Sequence, residues 1–404
     1  MPKSHKSAAH PDYINQSIIS FFAESSGETK GFKFYFYRLI IDRKERNIIL
    51  KAIESLQHHL PQGCDAAIIV SAHNRRYFAG FSSSDGLLFV TKSRACLLVD
   101  FRYIEAAHAS AQGCEVILLE NRREQLLKLA QECCVTSAAI EARELPVAEF
   151  ARFKCDLPTV RFDESTALSD TIERLRMIKQ VYEIENVKKA QEITDEAFSH
   201  ILKFIKPGVA ERELALEIEY FMRSHGAESV SFDLIVVSGE NSALPHGVPG
   251  TRKIKSGDFV TMDTGAVVGG YCSDMTRTVA IGCVSAAMRH VYDTVLRAQL
   301  AAEQAIHAGV MCSAVDKIAR DIIYDAGYKG CFGHGLGHSV GLQIHEEPRL
   351  SPLCGELLMK NMLMTVEPGV YLEGMFGVRI EDLVLITDKG CEILTSSPKE
   401  LMIL

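Results

Sequence analysis

The stretch Ser256–Gly282, "SGDFVTMDTGAVVGGYCSDMTRTVAIG", decides how this chain is read. Phe259 to Asp263 and Cys272 to Ile281 have the composition of β-strands, and Gly269-Gly270 between them is a two-residue hairpin signal. In a hairpin centred on that pair, Asp274 stands opposite Gly265, and Asp263 is its diagonal neighbour on the same face. A register shifted by one residue in each arm still keeps the two aspartates together. Two carboxylates on one face repel each other, so the arrangement calls for a cation between them.

Downstream segments supply further ligands of the same kind. "MTVEPGVY", from Met364, places Glu367 before Pro368, where the backbone is pushed toward an extended conformation. "GVRIEDLVLI", from Gly377, reads as one strand in which Arg379 and Glu381 point one way while Val378, Ile380 and Asp382 point the other. A single acid on an edge strand facing water would be ordinary. An acid inside such apolar runs is different, because a buried unpaired carboxylate costs several kcal/mol or neutralises.

The segment "CFGHGLGHSVGLQIHEEP", Cys331 to Pro348, concentrates three histidines in a chain that has 14. It is not a dinucleotide fingerprint, since the last glycine slot counted from Gly333 is His338, nor a zincin helix, since His345-Glu346 is followed by Glu347, Pro348 and Arg349. Asp263, Asp274, His338, Glu367 and Glu381 together form an oxygen-rich set with one imidazole. Four carboxylates balance the charge of two divalent metal ions. Hard oxygen ligands with one nitrogen favour manganese (Mn2+), with Co2+, Zn2+ or Fe2+ as alternatives. Cys272 shares the face of Asp274 and is a weaker alternative ligand, core packing being its ordinary role.

Working outward, residues 43–170 alternate helix and strand signals. "RKERNIILKAIESLQHHL" has helical spacing and stops before Pro61-Gln62-Gly63, while "DAAIIV", "GLLFV", "ACLLVD" and "EVILLE" are strand-length apolar runs. From 171 onward, "SDTIERLRMIKQVYEIENVKKAQEITDEAFSHILKFI" and "AERELALEIEYFMRSHG" read as amphipathic helices ahead of the acid-bearing strands. Residues 1–42 read as an N-terminal extension with no assigned role.

Composition narrows the function classes. At 404 residues and 47% hydrophobic content, the chain has enough for a substantial core, and its net charge of -8 without a long basic run argues against nucleic acid or an anionic membrane as partner. No apolar run approaches the roughly 20 residues of a spanning helix, so no membrane span is expected. The start lacks the apolar region of a secretory signal, which leads to the expectation of a cytoplasmic protein. The 12 cysteines contain no C-x-x-C and are expected as free thiols. G-x-S-x-G is not satisfied at Gly80 to Ser84, so no serine-hydrolase elbow is written there.

In order along the chain, "PHGVPG", "MDTGAVVGGYCSDMTRT", "HGLGHSVGLQIHEEP", "TVEPGVY" and "GVRIED" resemble the motifs of the two-metal pita-bread peptidases, which include methionine aminopeptidase, aminopeptidase P and prolidase. The resemblance covers about residues 43 to 404. It implies an α/β (α+β) chain with a creatinase-like N-terminal domain, 43–170, and a pita-bread metallopeptidase catalytic domain, 171–404. It also implies that Asp263 chelates one metal, that Asp274 and Glu381 bridge both, and that His338 and Glu367 hold the second. "NRRYFAGFSSSDGLLFVTKSRACLLVDFRYIEAA" resembles the N-terminal domain of aminopeptidase P and prolidase, which methionine aminopeptidase lacks.

By the same resemblance, His246, His334 and Arg379 surround the substrate, and His345 contacts the scissile carbonyl. Glu367 would then move the proton, with His345 and His246 as the other catalytic groups. Ser339 departs from the motif at a variable place. Because "GFSSSDG" looks more like small bacterial aminopeptidase P proteins, the expected activity is that of an Xaa-Pro aminopeptidase on proline-containing peptides. The alternative is an Xaa-Pro dipeptidase (prolidase), and a metal-free peptide- or protein-binding scaffold is disfavoured by the complete ligand set. Relatives of this kind imply a homodimer.

Overall fold

The early strands read as unbroken apolar runs because both faces of their sheet are covered. The computed structural model describes residues 51–404, and the extension expected over 1–42 lies outside the described residues. In chain order the first unit holds β1 (Ala66–Ile69), α1 (Ala72–Ala79), β2 (Leu87–Thr91), β3 (Ala95–Val99), α2 (Ile104–Ser110), β4 (Glu115–Leu118), α3 (Arg122–Glu132), β5 (Ser137–Ile140), α4 (Val147–Asp156) and β6 (Arg161–Asp163). The sheet runs β4-β3-β2-β1-β5-β6. Ala67, Ile69, Leu88, Val90 and Leu97 enter one core, while Ala66, Ile68, Leu87, Phe89 and Leu98 enter another. With helices against both faces, the inner strands β3, β2, β1 and β5 are buried along their whole length, and polar alternation disappears there.

Helix α5 (Ala167–Met177) joins this unit to the next: Leu168 and Ile172 belong to the first core and Met177 to the second. After a break, α6 (Val181–Ile201) opens with a capping box in which the Gln180 N–H donates to Glu183 at 2.8 Å. The remaining elements are α7 (Glu211–Ser224), β7 (Ser229–Val230), β8 (Ile235–Ser238), β9 (Phe259–Thr264), β10 (Ala266–Val268), β11 (Tyr271–Cys272), β12 (Met275–Ala280), α8 (Ala286–Ala305), α9 (Cys312–Asp325), β13 (Gly337–Ser339), β14 (Glu346–Leu350), β15 (Leu363–Val366), β16 (Gly369–Leu372), β17 (Phe376–Arg379), β18 (Asp382–Ile386) and β19 (Cys391–Ile393).

They form the sheets β12-β9-β8, β11-β10-β7 and β14-β13-β15-β18-β19, with β16 and β17 as a separate pair. Phe198, Leu214 and Ile218 of α6 and α7 pack on Val236, Val260 and Met262, whereas Val291, Val295, Val315 and Ala319 of α8 and α9 pack on Met364, Val366 and Val384. The strands that carry Asp263 or adjoin Asp274, Glu367 and Glu381 therefore run through the interior between two helix pairs.

One expectation is corrected here. "GVRIEDLVLI" is two strands, because β17 pairs with β16 whereas β18 pairs with β15. Between β17 and β18, Ile380 and Glu381 belong to neither strand. The backbone there is bound to β12 instead: the Glu381 N–H donates to the Thr276 carbonyl at 3.1 Å, and Arg277 Nη1 donates to the Glu381 carbonyl at 2.5 Å.

Buried charges sit at the seam between the units. Arg176 Nη2 is in direct contact with Glu346, and Lys179 Nζ lies 3.1 Å from the other Glu346 oxygen. Burial alone would raise the Glu346 carboxyl from its ordinary 4.5, but Arg176 and Lys179 outweigh it and hold it at about 2. A depressed folded pKa contributes stability that is complete above the unfolded value and is lost as pH falls through the folded one. Glu346→Gln should therefore lower the unfolding free energy at pH 7 by on the order of 3 kcal/mol. In urea melts at pH 3 the gap from wild type should shrink to about half; an unchanged gap would rule the ion pairs out as its source.

Candidate metal centre

Gly269 and Gly270 adopt φ of 59° and 80°, the left-handed pair that a two-residue hairpin turn needs. Val267 pairs with Cys272 across β10 and β11, and Thr264 with Met275 and Asp263 with Thr276 across β9 and β12. Asp274 therefore stands opposite Gly265, with Asp263 beside it on the same face. A Cβ at Gly265 would lie 2.1 Å from the Ser273 carbonyl oxygen, so the arms close only around a glycine.

The tertiary fold brings the distant segments to this hairpin. Asp274, His338 and Glu381 each present a ligand atom within 4.8 Å of the others. His338 Nε2 lies 3.6 Å from Asp274 and 3.4 Å from Glu367. Asp263, Asp274, His338, Glu367 and Glu381 all line one cavity of about 610 Å3, together with His246, His334, His345 and Arg379. Phe232, Ile235, Val248 and Ile344 form its apolar wall. Cys272 is not among the lining residues; it is buried, which pushes its thiol up to about 12.

The electrostatics show what these groups lack. His338 Nδ1 lies 3.1 Å from the Ser339 carbonyl, so it carries the proton and Nε2 presents a lone pair to the acids. Burial, followed by His345, pushes this imidazole down to about 3, so it stays neutral. Asp274 and Glu381 are raised well above the carboxylate range, first by burial and then by the neighbouring acids. Burial lifts Glu367 to about 8 against the opposing pull of Arg379. Asp263 Oδ2 accepts from Arg379 Nη2 at 2.5 Å, but its Oδ1 is buried without a protein partner. A neutral imidazole lone pair, an orphaned carboxylate oxygen and crowded acids fit divalent cations, which would supply the missing positive charge.

Sequence reasoning alone does not single out Tyr371 or Thr276. The Tyr371 hydroxyl accepts from Arg379 Nη1 at 3.0 Å and lies 3.0 Å from His334 Nε2. His334 Nδ1 donates to the Gly335 carbonyl at 2.8 Å, so Nε2 accepts from the phenol. The Thr276 hydroxyl donates to Glu381 at 2.6 Å and accepts from Arg379 Nε at 2.9 Å. Alternation from Glu367 places Tyr371 on the same side of an extended chain, the one signal that could have found it.

Gly337 is also part of the site's construction, because a Cβ there would lie 2.0 Å from the Thr365 carbonyl oxygen. Gly337→Ala must push β13 off its neighbour and shift His338, at a cost of about 1–3 kcal/mol. Calorimetry should show a lower Tm and weaker metal binding. Wild-type values for both would mean that the strand yields without moving His338.

Buried acids around a neutral imidazole, in a deep cavity between helix-backed sheets, define a metal-dependent hydrolase. Residues 185–388 match Metallopeptidase family M24, and residues 53–178 match the Creatinase/Prolidase N-terminal domain. The chain belongs to metallopeptidase family M24, within its pita-bread Xaa-Pro peptidase branch. It is 39% identical over 358 residues to the uncharacterized peptidase YqhT of Bacillus subtilis strain 168, covering 87% of this chain and 99% of that one. It is 36% identical over 340 residues to the Xaa-Pro dipeptidase of Pyrococcus horikoshii, covering 84% and 94%.

Among solved structures, the Xaa-Pro dipeptidase from Bacillus anthracis superposes with a TM-score of 0.84 at 41% identity, covering 88% of this chain and 100% of that one. The X-Pro aminopeptidase from Thermotoga maritima gives 0.80 at 36%, covering 85% and 98%. These likenesses establish the mixed α/β architecture, with a creatinase-like N-terminal domain and a pita-bread M24 catalytic domain. The family implies divalent metal ions. Among the described residues, no helix is long and apolar enough to cross a membrane.

Proposed function

We propose that this protein is an Xaa-Pro dipeptidase that hydrolyses the bond between an N-terminal residue and a C-terminal proline, using two divalent metal ions, manganese foremost. The observation that carries peptide hydrolysis is the convergence of the acids, histidines and Arg379 on one cavity. The choice of dipeptidase departs from the aminopeptidase expectation and is supported by the relatives of that name from Pyrococcus horikoshii and Bacillus anthracis. The Xaa-Pro aminopeptidase stays as the second reading, favoured by the likeness to the Thermotoga maritima protein.

Asp263, Asp274, His338, Glu367 and Glu381 would hold the metal ions, which when bound polarise a carbonyl and lower the pKa of water from about 15.7 to about 7. Glu367 Oε1 receives the Thr365 hydroxyl at 3.3 Å while Oε2 lies 4.0 Å from His334 Nδ1. Its carboxylate is thereby placed on the cavity wall to take a proton and pass it to the leaving nitrogen. His345, pushed down by burial and so neutral, donates an N–H to the developing oxyanion. His246 and His334 flank the substrate, and Arg379 meets it while holding Asp263 and Tyr371 in place. Proline brings no amide N–H and a fixed φ, which suits the apolar wall.

The proposal extends to the division into 1–42, 43–170 and 171–404, to a homodimer and to a cytoplasmic location. The test of activity is a manganese-supplemented assay on Ala-Pro, Ala-Pro-Ala and Ala-Ala-Ala. Ala-Pro should be cut fastest and Ala-Ala-Ala not at all. Preferential cleavage of Ala-Pro-Ala would establish the aminopeptidase instead, and cleavage of none would overturn peptide hydrolysis.

A further inference from the structure

Between His338 and His345 the chain reverses through 340–345, which belong to no helix or strand. The two imidazoles nevertheless meet edge to face, with centroids 4.5 Å apart at 81°. The carboxylate next to His345 holds the turn. Glu346 accepts the Gln343 N–H at 3.1 Å and packs against Gly341, where a Cβ would lie 2.5 Å from its Oε1.

The cations of that carboxylate come from outside the turn. Lys179 Nζ lies 3.1 Å from Glu346 and also donates to the Ser339 hydroxyl at 2.9 Å. Arg176, paired with Glu346 through Nη2, donates through Nη1 to Asn74 Oδ1 at 2.8 Å. Asn74 Nδ2 in turn donates to Glu141 Oε1 at 2.6 Å, and Glu141 accepts the Ser71 N–H and hydroxyl at 2.9 and 2.7 Å. Asn74, Glu141, Arg176 and Lys179 are all buried. A continuous chain of directed bonds thus runs from the N-terminal domain into the turn that ends at His345.

An apolar seam would join the two domains as firmly, since buried ion pairs are weak evidence of net stability. Directed bonds add something different: they specify where the Glu346 oxygens sit, and with them the turn. The same domain braces the other half of the centre, because Arg76 covers Gly270 at the hairpin tip so closely that a Cβ there would lie 2.4 Å from its Nε.

We infer that Asn74, Arg176 and Glu346 are positioning residues for His345, so that the N-terminal domain sets the place of the imidazole that meets the scissile carbonyl. The inference rests on the peptidase reading above, which gives His345 its role.

The test compares Asn74→Ala, which cuts the chain but keeps the Arg176–Glu346 pair, and Gly341→Ala, which crowds the carboxylate without removing a charge. Arg176→Met and Arg176→Lys complete the set. Kinetics on Ala-Pro and Ala-Pro-Ala are measured well below each Tm, with bound metal quantified. The expected result is a fall in kcat of about 10-fold for Asn74→Ala and Gly341→Ala and up to about 100-fold for Arg176→Met, with KM and metal content near wild type. Arg176→Lys should recover part of the loss through its single contact with Glu346.

Wild-type kcat in both Asn74→Ala and Gly341→Ala overturns the inference, including when Tm falls, because the chain is then structural only. Should Arg176→Met not fold, those two variants decide. A wild type inactive on both substrates instead overturns the peptidase reading, and the inference falls with it.

Discussion

Glu381→Gln should abolish hydrolysis, lowering kcat/KM by about 1000-fold or more, and should make the metal-free protein more stable. Both effects arise from one buried carboxylate. Glu381 is 1% exposed, receives the Thr276 hydroxyl and lies within ligand reach of Asp274 and His338. Burial, then Glu367 and Asp263, raises it well above the carboxylate range, so the metal-free fold carries this acid at a cost. A neutral amide removes that repulsion and, with it, a ligand. Wild type should gain about 4 kcal/mol from metal at 1000 times Kd, and the variant should gain almost none. Melting curves with chelator and with manganese read both effects, and a variant that still binds metal tightly and turns over would remove Glu381 from the ligand set.

The same crowding gives the metal-free protein a pH signature. Glu367 is held at about 8 in the fold against an ordinary 4.5, so the folded state binds a proton that the unfolded state releases. A raised folded value gives stability that is complete below the unfolded pKa and lost as pH rises through the folded one. The chelated protein should therefore weaken between about pH 4.5 and pH 8, and saturating metal should flatten that slope.

Arg277→Met should cost about 3–5 kcal/mol, because it strips a buried carboxylate of one of its two counter-charges and leaves only Lys399, 2.5 Å away. Arg277 is 1% exposed and Asp382 fully buried, with Nη2 2.7 Å from the carboxylate. The remaining guanidinium bonds reach the carbonyls of Thr276, Glu381, Ser397 and Pro398. Burial would raise the Asp382 carboxyl, but Arg277 and Lys399 outweigh it and hold it below the ordinary range. Because one of those bonds holds the Glu381 backbone, activity should fall as well. Asp382→Leu should be comparably costly alone, whereas the double variant should lose less than the sum, since it leaves no unpaired charge. Urea unfolding of all three tests this, and additive losses would show that the two groups do not act as a pair.

What could be read from the sequence was local. Gly269-Gly270 specifies a turn, and the two-residue pleat then determines which hairpin residues share a face, so Asp263 and Asp274 were legible together. His338, Glu367 and Glu381 stood out because their chemistry clashes with the glycine-rich or apolar segments around them. Other readings depended on partners far along the chain. Nothing in "HEEP" sets Glu346 apart from Glu347, yet its cations come from Arg176 and Lys179, 170 and 167 residues upstream. The continuous strand expected through Glu381 breaks because Arg277, on β12, takes its carbonyl.

"GFSSSDG" pointed to aminopeptidase P, whereas relatives matched over most of the chain lean toward dipeptidases. By itself the sequence determined the hairpin that brings Asp263 and Asp274 together and the alternating helices and strands, because turn geometry and pleat act over a few residues. Only the tertiary structure decided which charges are buried together, because the burial and counter-charge of a group depend on neighbours that chain separation does not specify.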